Sequence, residues 1–363
     1  MIQIWRSIRY FDWVNFALTC IIACIGLLFV FSATYTTEQP FSLFFKKQSF
    51  GLVSGLAIYG VFAFSNHRTL IRHGYVTYFC IIGLLLFTLL KGSIGMGAQR
   101  WIDVFFFRFQ PSELVKLLLP AFIAYHVDLN EHTARSFRSF VPILTLIGLS
   151  CLLIVKQPDL GTALLILFVG ALLLWLAGIG NKFFIYSFIA IALCTPLLWN
   201  ILKPYQKNRI AVFLGQGEAR KERYQIEQSA IAIGSGGLMG KGFLNGTQNK
   251  LHFLPEGRTD FIFAVLAEEF GFIGTIFVLF LYFLLFLRLF AFIEQIADAH
   301  VQLLATGLLM HIVFSVLINI GMVTNLLPIV GIPLPLMSYG SSNLWITCAS
   351  LGWLQAINMR ERE

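Results

Sequence analysis

The sequence predicts an all-α polytopic membrane protein, a bundle of ten transmembrane helices with a long extracytoplasmic loop between the seventh and eighth spans. Three observations predict this class. The chain of 363 residues is 58% apolar, and its mean hydropathy is +0.79. Only 12% of the residues are charged, about half of the ~25% that is usual in soluble domains. Long apolar segments recur along the chain, and about 20 mainly apolar residues are enough for one helix to span a bilayer.

The longest apolar segments define the predicted spans, whose boundaries are expected to be correct to within a few residues. An even number of spans places both termini on one side of the membrane. Lys and Arg are more frequent in the loops on that side, so the positive-inside rule predicts cytoplasmic termini. The first segment lacks a small-x-small cleavage site and is expected to be an uncleaved span. The predicted spans cover residues 12–33, 48–65, 74–91, 111–127, 140–156, 160–178, 182–201, 259–290, 301–324 and 337–357.

The net charge of +8 restricts the class of partner. It fits contact with the membrane surface, an anionic substrate, or positively charged cytoplasmic loops. No soluble basic module is available to bind nucleic acid, which is therefore not expected as a partner. The cysteines all lie in predicted spans without CxxC or metal-site spacing, so they are expected to be packing residues. They are Cys20, Cys24, Cys80, Cys151, Cys194 and Cys348.

The predicted loop at about 202–258 is far longer than the others and rich in basic residues. It is either an ordinary solvated loop or an extracytoplasmic site that attracts anions. Residues 224–233 are expected to form a short amphipathic helix with Gln225 and Gln228 on its polar side. The basic residues of the loop are Lys203, Lys207, Arg209, Arg220, Lys221, Arg223, Lys241, Lys250 and Arg258.

A glycine-rich run in this loop, IGSGGLMGKGFLNG at 233–246, resembles a phosphate-binding loop only superficially. It fails the Walker pattern, because Lys241 is followed by Gly242 where Ser or Thr is required. The glycines are instead expected to allow tight turns and the close approach of a ligand or helix.

The stretch HFLPEGRTDFIFAVLAEEFGFIG (252–274) begins polar and ends as a membrane helix. Thr259 is expected to cap this helix, and Asp260 lies where the helix is expected to begin. Glu268 and Glu269 follow about two turns later, at a depth where carboxylates are costly in lipid and are expected to face a polar cavity, a partner or a substrate. Asp260 has a simpler alternative explanation, since acids are favoured near helix N-termini.

Three further polar groups are expected near the outer face. Arg100 and Trp101 lie in a predicted outer segment, where Trp101 alone would be a membrane-interface residue. Glu113 and Lys116 share one face of a helix and are expected to pair, either as structural support or as part of a polar path. Asp159 lies in a short turn and is either a helix-capping acid or a functional group.

The segment NLLPIVGIPLPLMSYGSSN (325–343) is rich in Pro and Gly at the edge of membrane depth. Irregular backbone is tolerated there only if it is buried in protein or lines a wet cavity. A carboxylate such as Asp260 within reach of a hydroxyl is a candidate general base, and neighbouring cations suit a phosphate-bearing leaving group. This arrangement fits a glycosyltransferase that uses a lipid diphosphate, although an anion transporter or a proton-coupled transporter would use similar residues.

These segments together resemble the SEDS family (shape, elongation, division and sporulation) of bacterial peptidoglycan polymerases. The resemblance is collinear over nearly the whole chain, and VGIPLPL is similar to the RodA branch, which serves cell elongation. Two positions depart from the family pattern: Ser341 follows Gly340 where a second Gly is common, and Asn325 also replaces a common Gly. The matching motifs are GAQRWI (97–102), FQPSELVKL (109–117), QPDLGT (157–162), YQIEQSAIAIGSGGLMGKG (224–242), LPEGRTDFIFAVLAEEFGFIG (254–274) and GIPLPLMSYG (331–340).

The resemblance implies one transmembrane domain over residues 1–363, in the bacterial cytoplasmic (inner) membrane. It implies that lipid II is polymerised at the outer leaflet into β-1,4-linked glycan attached to undecaprenyl pyrophosphate. It also implies a partner, a class B penicillin-binding protein that acts as transpeptidase, together with other membrane proteins of the elongation complex. The alternatives are a lipid II flippase without polymerase chemistry and a non-catalytic scaffold.

By position in the motifs, the predicted catalytic residues are Asp260 and Glu268. Asp260 is expected to take a proton from the C4 hydroxyl of the acceptor sugar, and its ordinary pKa near ~3.9 is low for a base unless burial or another acid raises it. A divalent cation, Mg²⁺ or Mn²⁺, is compatible with the chemistry; its ligands are not identified, and no organic cofactor is expected. The predicted substrate-binding residues are Arg100, Trp101, Glu113, Lys116, Asp159, Arg209, Gln228 and Arg258.

Overall fold

The computed structural model describes residues 9–95, 98–104, 107–130, 137–201, 204–214, 220–251 and 253–362. The protein is mostly helical, and a helix covers each predicted span. The helices are α1 (Trp13–Thr34), α2 (Leu43–Ala63), α3 (His67–Arg72), α4 (Gly74–Lys91), α5 (Pro111–Leu129), α6 (Phe137–Lys156), α7 (Leu160–Leu176), α8 (Asn181–Ile201), α9 (Pro204–Phe213), α10 (Arg220–Gly236), α11 (Thr247–Lys250), α12 (Ile262–Ile293), α13 (Ala299–Val323) and α14 (Ser341–Glu361).

Among the described residues, 5 helices are long and apolar enough to cross a membrane: α1, α4, α6, α12 and α13. The helices α7 and α8 contain shorter apolar stretches. Many large apolar side chains on the outer surface are exposed, as expected where lipid is the solvent. The chain is therefore a multi-pass membrane protein.

A small antiparallel sheet lies between α4 and α5, which the all-α prediction missed. Its strands are β1 (Ser93–Gly95), β2 (Ala98–Val104) and β3 (Phe107–Phe109), in the order β1-β2-β3. The strands β1 and β3 have only three residues each, too few to show an alternating apolar pattern. Cross-strand pairs hold them instead, for example Asp103 opposite Arg108, whose charged groups lie 3.3 Å apart.

Two apolar clusters form the core, and α5 lies between them, because Leu114 and Leu118 pack against both. The first cluster joins α1, α2, α12, α13 and α14, and the second joins α4 to α7. Small residues allow the tightest contacts: a Cβ on Gly352 of α14 would lie 2.3 Å from the carbonyl oxygen of Tyr59 on α2. The nearly complete burial of α14 makes it the central helix of the first cluster.

The segment predicted as a long loop is largely helical, since it contains α9, α10 and α11. The helix α10 packs against α12, and the hydroxyl of Ser229 donates a 2.9 Å hydrogen bond to the carbonyl oxygen of Val323. Gln225, placed with Gln228 on the polar side of the predicted amphipathic helix, is buried, so that side faces protein. Residues 202, 203, 215–219 and 252 lie outside the described residues, and with them Lys203.

The cysteines are free thiols, as their spacing predicted, but the expectation that all of them pack in the core is wrong. Cys348 is buried, Cys20 and Cys151 are partly buried, and Cys24 and Cys80 are exposed. Cys194 is exposed as well, so half of the six face the surroundings of the bundle. A thiol is apolar enough to face lipid without a partner.

Candidate active site

Asp260 lies in the turn that precedes α12, and its backbone is fixed by a buried amide. Asn319 of α13 donates one hydrogen bond of 2.9 Å to the carbonyl oxygen of Asp260 and another of 2.8 Å to that of Ile332. One side-chain amide therefore ties the turn to the Pro-rich segment. The carboxylate faces Gly331, where a Cβ would lie 3.5 Å from its Oδ2, so the absence of a side chain there leaves space beside it.

The turn is also held by hydrogen bonds to residues 338 and 339. The Ser338 hydroxyl donates to the Thr259 carbonyl oxygen at 2.6 Å, and the Tyr339 N–H donates to the Arg258 carbonyl oxygen at 2.9 Å. Glu256 and Leu336 both adopt positive φ, at 56° and 67°. Such strain in non-glycine residues persists where surrounding structure enforces it, and it is typical of functional sites.

The expected helix cap by Thr259 is wrong. The helix α12 begins at Ile262 with Phe261 at the N-cap position and no side-chain cap. The Thr259 hydroxyl instead donates to the backbone carbonyl and the carboxylate of Glu256, at 3.2 and 3.0 Å. The cap is lost because the turn continues for two residues beyond the predicted start, which leaves Asp260 outside the helix proper.

Burial raises the pKa of Asp260 from 3.8 to about 6, and the nearby Glu256 carboxylate adds to this rise. Arg100 and Arg209 oppose it, while Asp159 contributes a smaller rise. The residue is surrounded by protein, yet part of its surface remains accessible. A base with a pKa near the working pH is the most effective kind of general base.

A chain of polar contacts joins Arg100 to the start of two helices. The Arg100 Nη1 atom lies 3.4 Å from Asp159 Oδ2, and the same oxygen accepts a 2.6 Å hydrogen bond from Gln110. Asp159 also caps α7 by accepting from the Thr162 N–H, so it is both a capping acid and an ion-pair partner. The Arg100 guanidinium lies 5.7 Å from the ring centre of Trp101.

Two arginines act on the Asp260 carboxylate, and a third lies two residues before it in the chain. Arg100 lies on β2, Arg209 on α9 and Arg258 in the turn itself. The Arg258 guanidinium lies 3.9 Å above the ring of Phe44, a stacking contact that orients it. The Nε atoms of Arg100 and Arg258 are buried and have no hydrogen-bond acceptor within the described residues, so both retain donor capacity for an anion.

The N-termini of α5, α7 and α14 meet beside this cluster. Gln110, the N-cap residue of α5, donates its backbone N–H to the Ser342 hydroxyl of α14 at 3.3 Å and its side-chain amide to Asp159 of α7. The Ser342 hydroxyl in turn donates to the Arg108 carbonyl oxygen at 3.1 Å. Helix N-termini carry partial positive charge, so their meeting point adds to the attraction that the arginines exert on an anion.

Glu113 and Lys116 pair as their spacing predicts, in a buried position one turn below Gln110. The Lys116 Nζ atom donates to Glu113 Oε1 at 2.6 Å, and Asn343 of α14 donates to the other oxygen at 3.2 Å. Lys116 also acts electrostatically on the buried His311 of α13. The pair therefore connects the polar cluster around Arg100 and Asp159 to the interior of the bundle.

Glu268 and Gln228 lie apart from this cluster. Glu268 is fully buried in α12, six residues after Ile262, which corresponds to about 9 Å along a helix. It accepts hydrogen bonds from Lys241, Thr247 and Gln248. Gln228 is partly buried on α10. The structure thus brings Arg100, Asp159 and Arg209 to Asp260, but places Glu268 against the glycine-rich run.

Sequence reasoning missed Asn319, Gln110 and Ser338 as residues of this site. Asn319 was detectable, because a lone amide in an otherwise apolar span is costly unless it has partners. Gln110 lies within FQPSELVKL and Ser338 within GIPLPLMSYG, two of the motifs that carried the resemblance. Their hydrogen bonds across the fold could not be deduced from local spacing.

The chain is similar to known proteins over nearly its whole length. The family of FtsW, RodA and SpoVE cell cycle proteins matches residues 12–363. The peptidoglycan glycosyltransferase MrdB of Escherichia coli is 36% identical over 358 residues, which are 97% of this chain and 96% of that protein.

Two solved structures have the same fold. One describes the structural coordination of polymerization and crosslinking by a peptidoglycan synthase complex; a chain in it has a TM-score of 0.81 and 29% identity, with 97% of this chain and 99% of that chain covered. The other is the rod shape determining protein RodA of Thermus thermophilus, with a TM-score of 0.72, 26% identity and coverage of 97% and 98%. The chain therefore belongs to the FtsW/RodA/SpoVE family, the SEDS family of the sequence resemblance, and to its RodA branch.

Proposed function

We propose that the chain is a peptidoglycan glycosyltransferase that polymerises lipid II into β-1,4-linked glycan during cell elongation. The observation that carries the proposal is a partly accessible carboxylate of raised pKa, Asp260, near Arg100 and Arg209 and in the same turn as Arg258. A base beside cations is what the transfer of a sugar from a diphosphate requires. The relatives named as peptidoglycan glycosyltransferases support the same conclusion.

Asp260 acts as the general base in this proposal. It accepts the proton of the C4 hydroxyl of the acceptor N-acetylglucosamine as that oxygen attacks the anomeric carbon of the growing chain. The bond between the anomeric carbon and the diphosphate oxygen breaks, and undecaprenyl pyrophosphate leaves with the bonding electrons. Attack from the opposite face inverts the anomeric centre, which converts an α-linked donor into a β-linked product.

Arg100, Arg209 and Arg258 bind the diphosphate in this scheme. The unpaired Nε atoms of Arg100 and Arg258 and the meeting helix N-termini support this role. The remaining residues assigned to substrate binding are Trp101, Glu113, Lys116, Asp159 and Gln228. The geometry favours Asp159 as the residue that orients Arg100 and the Glu113–Lys116 pair as the support of the cavity.

A divalent cation, Mg²⁺ or Mn²⁺, fits the site only together with the substrate. Within the described ranges, no group of three or more His, Cys, Asp or Glu side chains could hold a metal ion alone. Mg²⁺ is commonly held by one or two carboxylates plus substrate phosphates, so Glu256 could supply a ligand while Asp260 stays free to accept the proton. When bound, the ion would neutralise negative charge on the diphosphate.

The membrane arrangement belongs to the same proposal. All ten predicted spans cross the bilayer, both termini are cytoplasmic, and α9, α10 and α11 lie on the extracytoplasmic side. The helices α2, α5, α7, α12 and α14 then all begin at the outer face, where their N-termini adjoin the cluster around Asp260. Lipid II reaches this cluster from the outer leaflet.

A class B penicillin-binding protein is the proposed partner, and other membrane proteins of the elongation complex are expected beside it. The similar chain from a complex that coordinates polymerization with crosslinking supports this partner. Affinity purification of the tagged chain from its host tests it. Recovery of such a transpeptidase agrees with the proposal, and recovery of none of the host's class B proteins contradicts it.

The experiment that tests the function is polymerisation of labelled lipid II by the purified protein in detergent. The wild type is expected to give glycan ladders and Asp260→Asn none. Glu227→Gln, an exposed acid on α10 paired with Arg223, serves as the matched control and retains activity. A flippase would give no polymer in detergent, so an inactive wild type, or an active Asp260→Asn, would refute the assignment.

A further inference from the structure

The glycine-rich run and the two acids of α12 have no role in the proposed chemistry, yet they contact each other closely. The helix α12 breaks at Gly271, where φ is 63°. Residues 236–248, here called the strap, run alongside the break. The N–H groups of Phe272 and Ile273 donate to the carbonyl oxygens of Gly237 and Leu238, at 2.9 and 3.2 Å. The strap therefore satisfies backbone groups that the broken helix leaves unpaired.

Glycines make this contact possible. A Cβ on Gly240 would lie 2.2 Å from the carbonyl oxygen of Glu269, and one on Gly271 would lie 2.3 Å from the backbone nitrogen of Gly240. The strap also donates the N–H groups of Lys241 and Gly242 to the carbonyl oxygens of Glu268 and Glu269, at 3.0 and 2.9 Å. The two backbones touch with no side chain between them.

The carboxylate of Glu268 fastens the end of the strap. Its Oε1 atom accepts from the Lys241 ammonium at 2.6 Å, from the Thr247 N–H at 2.7 Å and from the Gln248 N–H at 3.0 Å. The Thr247 hydroxyl donates to the same oxygen at 2.9 Å. Glu268 has no exposed surface, and its other oxygen faces Gly246.

The chain that leaves the strap leads directly into the Asp260 turn. The N–H groups of Phe253 and Leu254 donate to the carbonyl oxygen of Gln248, and the Leu254 side chain is buried. The hydrogen bond from Gln248 to Glu268 thus closes a loop with a sequence separation of 20 residues. Both Arg258 and Asp260 lie inside this loop, and Glu268 is its closing point.

We propose that Glu268 is a positioning residue, which fastens the strap to α12 and thereby holds Arg258 and Asp260 in place for sugar transfer. This inference rests on the proposed function. Four donors on the strap side, one of them a cation, meet at Oε1 of Glu268, whereas Oε2 is buried with no hydrogen-bond partner among the described residues. The strap contacts at Oε1 therefore distinguish this role from that of a second proton carrier. Lys241, Thr247 and Gln248 become part of the same fastening.

Substitutions of Glu268 and Lys241, singly and together, test this proposal. Glu268→Gln keeps an acceptor for Thr247 and Gln248 but removes the negative charge that pairs with Lys241. Polymerisation is therefore expected to fall at least about tenfold. Lys241→Met leaves a buried carboxylate without its cation and is expected to be worse. Adding Glu268→Gln to Lys241→Met removes that unpaired charge, so the double variant is expected to exceed Lys241→Met. Lys250→Met, a nearby exposed lysine, is the control.

A second readout separates positioning from general loss of folding. Hydrogen–deuterium exchange is expected to rise in peptides covering residues 241–260 in both single variants, to fall back in the double variant, and to stay unchanged in α5 and α14. The acid limb of the pH profile of the single variants is expected to move to lower pH, because a loosened turn hydrates Asp260.

The outcomes distinguish this inference from the proposed function. An active wild type with a double variant no better than Lys241→Met would overturn the positioning role and favour a proton carrier. Exchange at 241–260 that does not respond to either single variant would overturn it as well. An inactive wild type would instead contradict the proposed function, and the exchange data would still test whether Glu268 holds the turn.

Discussion

The pH dependence of polymerisation gives the most informative prediction, because it depends on the ionisation of one residue. The pKa of Asp260 is about 6, and only the ionised form can accept a proton. In the free enzyme, kcat/KM for lipid II is therefore expected to be half-maximal near that pH and to fall about tenfold per pH unit below it. An ordinary aspartate would remain active to near pH ~4.

Neighbouring charges allow the assignment to be tested in both directions. Glu256 raises the pKa of Asp260, so Glu256→Gln is expected to move the acid limb to lower pH. The amide keeps an acceptor for the Thr259 hydroxyl, which limits distortion of the turn. Arg209 lowers the same pKa, so Arg209→Gln is expected to move the limb to higher pH, besides weakening substrate binding.

The assay is the initial rate of glycan formation from lipid II at subsaturating concentration, measured between pH 4.5 and 8.5. Glu227→Gln controls for loss of a negative charge elsewhere and is expected to leave the limb in place. A wild-type limb near pH ~4, or a limb that does not move in Glu256→Gln, would refute the assignment of the base to Asp260.

Three further predictions concern stability, measured by thermal unfolding in detergent. Folding raises the pKa of Asp260, so its charge opposes folding above pH ~6 and has no effect well below pH ~4. Asp260→Asn is therefore expected to raise Tm at pH 8 and to leave it unchanged at pH 3.5. Equal Tm values of the variant and the wild type at pH 8 would contradict this. Gly271→Ala places a Cβ on a residue of positive φ, 2.3 Å from the backbone nitrogen of Gly240. It is therefore expected to lower the free energy of unfolding by more than about 1 kcal/mol. An unchanged Tm would show that the backbone at the break relaxes to accept the Cβ. Lys116→Met leaves Glu113 buried without its cation and is expected to lower the free energy of unfolding by about 3–5 kcal/mol. A Glu113→Gln/Lys116→Met double variant is expected to recover a large part of this loss. If it recovers none, the pair does not determine stability.

The sequence was sufficient to predict the helices because lipid imposes a strong constraint on apolar segments. A helix covers every predicted span, and the boundaries agree within a few residues, apart from α2 and α14, whose starts differ by about one turn. The Pro-rich segment before α14 was predicted to be irregular, and it is. Asn325 adopts φ of 59° there, which explains why glycine is common at this position and why asparagine is a tolerated replacement.

The remaining features depend on contacts between distant segments, which local patterns do not encode. The Thr259 cap was wrong because the hydroxyl bonds Glu256 instead, and the helix begins three residues after Thr259, at Ile262. The glycines of the strap were expected to allow tight turns and the close approach of a ligand or helix, and the close approach of a helix is confirmed. The sequence did not identify the helix, because its contact with the strap depends on the break in α12. The cluster of Arg100, Asp159 and Arg209 around Asp260 joins segments 50 to 160 residues apart, and only the fold shows that they share one electrostatic environment.

The most direct test of the central claim is to measure lipid II binding and polymerisation side by side in Asp260→Asn. If Asp260 is the general base, this variant binds lipid II as the wild type does but forms no glycan, because only proton removal is lost. Glycan formation by Asp260→Asn at the wild-type rate would contradict the account.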